Sequence, residues 1–412
     1  MKADNSLRYD ITLYVIGLIA LLMPVSMLGA HGSGASLLAE GRWVKLHVDS
    51  TSVYRIPYTL LKEWGFEHPD RVIVAGYGSV ERAHSLDTAP DDLPILPVSR
   101  EKDGIYFFAE GDMRITLDPV SYSTQFATHY NYYSAGSYYF IGERDGLASP
   151  DIAVSPDNDA DGNVLDTHIS VSHALYRETH PAKHGLLSFS TNITGTAPRT
   201  VGYDVTGHEG AASLYTTYAW LHSDPSAQCI GIEFSPEVIK AQNSADRLTK
   251  NVKEHVLFSV RENSRSTLTL DSDCDRFSAT FSNPSGAFTT LALVSTTLVY
   301  TRGNRIGPRP MMMHFKSLTT DEKIRLSNAS PDMALWDVTD PRHPSRLAVT
   351  LHDGNVATAT VDGQLTGARL FACNSPAGLP VPTFAGEVAN QNLHALSDVD
   401  MLIVTLPDTH HA

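Results

Sequence analysis

Gly41-Arg42-Trp43-Val44-Lys45-Leu46-His47-Val48, then Asp49-Ser50-Thr51-Ser52, then Val53-Tyr54-Arg55-Ile56, is the stretch that settles the class of this chain. Apolar and polar residues alternate on both sides of a polar turn. That is the period of half-buried strands, and it predicts a β-hairpin. Pro57 then opens a short amphipathic helix over residues 58–64, closed by Gly65. Strands follow at 71–75, 104–109 and 138–141, so residues 36–150 read as a small mixed α+β domain dominated by strands.

An acidic linker at 151–163 leads into residues 164–302, rich in Ser, Thr, Val and aromatics with little helical period. Strand-length segments at 186–193, 213–221, 231–234, 254–260, 266–270, 277–281 and 289–299 predict an antiparallel jelly-roll-like sandwich, with a short helix within 235–250. A smaller β subdomain follows at 303–385. In the last segment, 386–412, the apolar run Met401-Leu402-Ile403-Val404-Thr405-Leu406 after Asp398 and Asp400 reads as the buried first strand of a parallel α/β domain. The fold class is therefore mostly β and multi-domain.

At 412 residues the chain exceeds one compact core. Its 31 Lys and Arg against 46 Asp and Glu give a formal net charge of −15 with no dense basic stripe, which excludes nucleic acid as a partner. Lys2 and Arg8, the apolar residues 11–28 and the small residues at 29–35 read as a secretory signal peptide over 1–35; an uncleaved membrane anchor is the competing reading. Export permits one disulfide, Cys229 with Cys274, leaving Cys373 single; three buried thiols are the alternative. The absence of a CxxC pair excludes a zinc ribbon or a thioredoxin-type site.

The landmarks, taken in order, resemble one family. They are Gly41-Arg42-Trp43-Val44-Lys45 with Val53-Tyr54-Arg55-Ile56; Asp91-Asp92-Leu93; Ile105-Tyr106-Phe107-Phe108-Ala109-Glu110-Gly111; Asn131-Tyr132-Tyr133-Ser134 with Tyr138-Tyr139-Phe140; Trp336-Asp337-Val338-Thr339-Asp340-Pro341; and Asn390-Gln391-Asn392-Leu393-His394 with Asp400-Met401-Leu402-Ile403-Val404. Together they resemble the PorU-type cysteine peptidases of the type IX secretion system, relatives of gingipains. The resemblance implies a protein at the cell surface or outer membrane of a Gram-negative bacterium. It would remove a C-terminal sorting signal from exported cargo, join the cargo to a lipopolysaccharide anchor, and work with other secretion-system components. It also implies that the Cys and His of the reaction belong to a gingipain-type domain that begins near Asn390 and is truncated here, so the chain is expected to be inactive alone. No catalytic residue is carried over. A pairing of Cys373 with His394 is disfavoured, since a thiolate needs an oriented base beside it. Around Lys183-His184-Gly185-Leu186-Leu187-Ser188-Phe189 the chain departs from the family pattern. A reading from another class is a free-standing exported β-sandwich that binds glycans or acts as an adhesin.

Asp157, Asp159, Asp161 and Asn163 are spaced like the start of a Ca²⁺ loop, with Gly162 for the sharp turn; a solvated acidic linker is the plainer reading. The twelfth position is His168 rather than a bidentate Glu, although Asp166 is near. His168, His173, His180 and His184 read as surface or loop residues. The aromatic group Tyr130, Tyr132, Tyr133, Tyr138, Tyr139 and Phe140 reads as core beneath a small sheet in preference to a sugar platform.

Overall fold

The computed structural model describes residues 35–78, 91–117, 126–131, 136–156, 162–178, 188–194, 196–222, 230–235, 240–245, 261–283, 290–361 and 363–395. The mostly β, multi-sheet architecture follows the alternation in the sequence. The expected hairpin does not form. Arg42–Val48 and Ser52–Pro57 are both strands, but the first pairs with Ser137–Glu143 and Thr383–Val388, and the second with Gly104–Ala109. Alternation is identical for a ladder and for two strands turning a corner between sheets; burial decides. Val44, Leu46 and Val48 share one core with Tyr54, Ile56, Phe107 and Ile141, so the turn carries the chain from one layer to the layer facing it. The helix Tyr58–Glu63 follows Pro57 and buries Leu61. Gly65, just past its end, has φ +84 and donates its N–H to the Lys62 carbonyl at 2.9 Å.

The central feature is a ten-stranded sheet. Its order is Ala153–Ser155, Ser345–Leu347, Ala334–Asp337, Arg369–Cys373, Met311–His314, Thr167–Leu175, Thr290–Gly303, His208–His222, Arg261–Thr269, Lys240–Ala245. The last of these is a strand where a short helix was expected; pairing with Arg261–Thr269 overrides local propensity there. One face of the sheet is covered twice. At one end it packs on the three-stranded sheet Arg199–Asp204, Arg276–Ser282, Gly231–Ser235, with Leu214, Leu268, Leu291, Leu293 and Leu298 against Tyr203, Phe277 and Phe281. At the other end it packs on the four-stranded sheet Asn163–Leu165, Glu322–Ser327, Val356–Thr360, Thr350–His352, with Met313, Leu335 and Leu370 against Ile324, Leu326 and Ala359. Two sandwiches thus share one sheet. Between them the ladder narrows to a single registered pair, Ile169 with His314, whereas Thr167–Leu175 pairs with Thr290–Gly303 from end to end.

The N-terminal unit covers the opposite face and spans that seam. Val53, Tyr106 and Phe108 pack on Trp336, Phe371 and Cys373 beside it. The hairpin Met113–Leu117 with Phe126–Tyr130 brings Ile115, Leu117 and Phe126 onto Ile169, Val171, Tyr215 and Val299 on its other side. The chain then returns: Thr383–Val388 adds an edge strand to the N-terminal sheet, and the short turn Leu393–Ala395 lies against Ser36 and Asp91. The segments 254–260 and 401–406, read as strands from the sequence, lie outside the described residues, as do residues 1–34.

Gly142 marks the tightest point of the N-terminal sheet. A Cβ there would lie on the Trp43 ring, which is 1% exposed and anchored by a hydrogen bond from its Nε1 to the Glu40 carbonyl at 2.7 Å. Overpacking of this kind costs about 1–3 kcal/mol. Gly142→Ala should lower the urea midpoint accordingly, whereas Gly202→Ala, where a Cβ meets nothing within 4 Å, should cost less than half as much.

Candidate functional site

The sequence-predicted residues do not gather at one place. Asp157, Asp159 and Asp161 lie outside the described residues. Asn163 opens the exposed edge strand Asn163–Leu165, in parallel register with Glu322, and Gly162 is pressed against the Asp321 carbonyl with no room for a Cβ. Asp166 is engaged elsewhere, in a two-bond contact with Arg325 at 2.6 and 3.0 Å. Among the described residues no group of three or more His, Cys, Asp or Glu side chains could hold a metal ion.

His168 and His173 are not loop residues. Both sit in the strand Thr167–Leu175 inside the ten-stranded sheet. The His168 Nδ1 meets the Asn304 Oδ1 at 2.8 Å, and Asn304 also donates to the Leu165 carbonyl at 2.9 Å. His173 contacts the Thr297 hydroxyl at 2.7 Å and stacks on Tyr130. Burial pushes each imidazole down to about 4. A strand of Thr, His and Ser looks polar in sequence; its neighbours leave His168 3% exposed and His173 half-buried. His180 and His184 lie outside the described residues.

Cys373 is a core residue. It is 1% exposed, lies in the strand Arg369–Cys373 and packs with Trp336, Phe371, Tyr106 and Phe108. Burial pushes its thiol up to about 11, which withholds the thiolate a nucleophile needs. His394 is elsewhere, its Nε2 on the Asp91 carbonyl at 3.0 Å. Cys274 is a free thiol whose Sγ–H donates to the Arg276 carbonyl at 3.5 Å; partial burial and the aspartates at 271, 273 and 275 raise its pKa. Cys229, its expected partner, lies outside the described residues. The aromatic group divides: Tyr139 is core, edge-on to Phe107 at 6.0 Å, and Phe140 packs behind Trp43, but Tyr138 is 43% exposed beneath the Lys45 ammonium.

What the fold does assemble is a buried polar joint between the N-terminal unit and the ten-stranded sheet. Glu110, at the end of Gly104–Ala109, is 1% exposed, and Arg369 is 2% exposed. The Glu110 carboxylate receives both the Nε (2.7 Å) and an Nη of Arg114, and the Nη1 of Arg369 at 3.2 Å. Arg369 also donates to the Val338 carbonyl at 2.9 Å, and its backbone N–H donates to Thr339 Oγ1 at 3.1 Å. Thr339 in turn donates to Asp337 Oδ1 at 2.5 Å. The Glu110 N–H donates to the Tyr139 hydroxyl at 2.8 Å, and burial holds that phenol well above its ordinary pKa. Burial pulls Arg369 down, opposed chiefly by Glu110. Glu110 belongs to a landmark legible in the sequence; its partner is 259 residues away and carried no local signal.

No protein-family model and no curated protein matches the sequence. Among solved structures, the chain superposes on the crystal structure of dimeric latent PorU from Porphyromonas gingivalis with a TM-score of 0.73 and 22% identity, over 88% of this chain. The fold is PorU-like. The match covers 34% of the PorU chain, so this chain spans about a third of its length. The described landmarks that carried the resemblance fall at three places. Trp43 and Phe140 pack in the N-terminal sheet, Glu110 and Trp336-Asp337-Val338-Thr339 form the joint, and Asn392 and His394 tie the chain's return to Ser36 and Asp91.

The thiol geometry sets an order of reactivity. With native protein at pH 8, iodoacetamide should label Cys274 and leave Cys373 unmodified by peptide mass mapping, with Cys373 labelled only after denaturation. Labelling of native Cys373 at a rate equal to that of Cys274 contradicts its place in the core.

Proposed function

We propose that this chain is the non-catalytic N-terminal portion of a PorU-like type IX secretion sortase, exported to the cell surface or outer membrane, where it positions cargo bearing a C-terminal sorting signal for a gingipain-type peptidase domain. The observation that carries this reading is that the PorU-like fold extends over 88% of the chain, with two of the family landmarks, the one ending in Glu110 and the one at Trp336-Asp337-Val338-Thr339, meeting at the buried joint. The role is a scaffold's. Cys373 lies in a packed core with no adjacent base among the described residues, and a cysteine nucleophile needs a lowered pKa and an oriented partner. The Asp157-Asp159-Asp161-Asn163 string belongs to this proposal as a Ca²⁺ loop that orders the passage between the edge strands Ala153–Ser155 and Asn163–Leu165.

The experiment is binding and cleavage measured on the same sample. Purified chain is incubated with an exported cargo domain carrying its C-terminal signal and with the same domain lacking it. Signal-dependent binding without cleavage is the expected outcome. Cleavage of the signal overturns the non-catalytic role; binding to glycans with no preference for the signal-bearing cargo favours the exported adhesin instead. For the loop, adding Ca²⁺ should raise the melting temperature by a few degrees and chelator should reverse it, an effect that Asp159→Asn abolishes; an unchanged melt removes calcium from the account.

A further inference from the structure

The strongest unassigned feature is a row of side chains crossing the seam on the face that the N-terminal unit covers. Ile169 stands in register with His314, and His314 stands in register with Arg369. Residues in register on neighbouring strands share a face, so these three lie side by side. Ile169 touches the Met113–Leu117 hairpin, and Arg369 reaches Glu110. His314, between them, is 4% exposed. Its ring hydrogen-bonds the Ile169 backbone while Nδ1 finds no partner, and the Arg369 Nε is likewise unpaired.

The charges facing this imidazole come from each element packed around it. Arg369 lies on the adjacent strand and His168 on the strand beyond, one residue from Ile169 and so on the opposite face. Glu110 and Arg114 come from the N-terminal unit; Asp337, in register with Leu370 and so on the opposite face, acts on Arg369 from the strand Ala334–Asp337. On the covered face one carboxylate, Glu110, stands against two guanidiniums, Arg114 and Arg369. A proton on His314 adds a second buried cation next to Arg369 with no acceptor for it among the described residues, and an uncompensated buried charge drives water in.

We propose that His314 is an acid-sensitive release for the contact between the N-terminal unit and the ten-stranded sheet: protonation opens the Glu110–Arg369 joint and exposes the seam. The direction follows from linkage. Packed in the joint, the His314 imidazole titrates at about 4, against its ordinary 6.5. The closed contact therefore has its full stability above pH 6.5 and loses it as pH falls toward 4. The neutral residue nearest in shape and donor capacity is glutamine.

The test is hydrogen exchange of the full chain at pH 7 and pH 4.5, corrected for intrinsic exchange rates. It compares amides of Gly104–Ala109, Met113–Leu117 and Arg369–Cys373 with those of Val356–Thr360, whose sheet packs on the opposite face of the ten-stranded sheet from the N-terminal unit. A histidine held at about 4 when closed and 6.5 when open increases the open population about sixtyfold between these two pH values. The wild type should show that rise at the joint and not in Val356–Thr360. His314→Gln should reduce it to a few-fold, which separates this side chain from every other group common to both proteins. A joint that stays equally protected at both pH values in the wild type overturns the proposal, as does a His314→Gln variant with the wild-type rise. If that variant does not fold, the wild-type comparison decides alone, and a rise equal in Val356–Thr360 counts against a local release.

Discussion

A carboxylate and a guanidinium with almost no access to water hold the parts of this protein in one arrangement. Glu110 arrives at the end of an all-buried strand, Gly104–Ala109, and Arg369 begins another, Arg369–Cys373. Neither could be buried alone, because an ion without its partner in a low-dielectric interior costs several kcal/mol. The attraction holding the two units together comes mainly from their apolar neighbours. Val53, Tyr106, Phe108, Trp336 and Phe371 surround the joint, and each such side chain contributes about 1.5–3 kcal/mol on leaving water. Against that, a well-made buried ion pair nearly breaks even with an apolar replacement. Its role is register: an apolar contact tolerates sliding, whereas a displaced Glu110 leaves charges unpaired.

The same arithmetic explains why two sandwiches can share a sheet that narrows to one registered pair. Backbone pairing at Ile169 and His314 is too slight to fix how the two halves meet. The N-terminal unit does it instead, with one set of side chains on each side of the seam. Surface ion pairs such as Arg346 with Glu101 also cross between units, but exposed pairs contribute about 0–1 kcal/mol and cannot set the arrangement.

Much of this was legible in the residues. Alternation at Arg42–Val48, Arg276–Ser282 and Glu322–Ser327 marked strands, Pro57 and Gly65 bracketed the helix, and the landmark ending in Glu110-Gly111 marked a strand of consequence. Pairing was not legible, because period-two patterning specifies which face is buried and is silent about the neighbour. That is why a corner at residues 49–51 read as a hairpin. His168 and His173 failed for a related reason: they occur beside serines, and only long-range pairing covers them. Arg369 carried no signal at all, since a lone arginine before an apolar run reads as a solvated strand end.

For a scaffold that presents cargo, fixed geometry between units is the property that matters, and the account places it in one ion pair. A double-mutant cycle of Glu110→Gln and Arg369→Met, followed by urea unfolding, measures that directly. Glu110→Gln should lose about 3–5 kcal/mol because it strands the buried Arg369, Arg369→Met should lose less because Arg114 still holds Glu110, and the double variant should lose less than their sum. Losses below about 1 kcal/mol that simply add would show that the joint holds nothing in place.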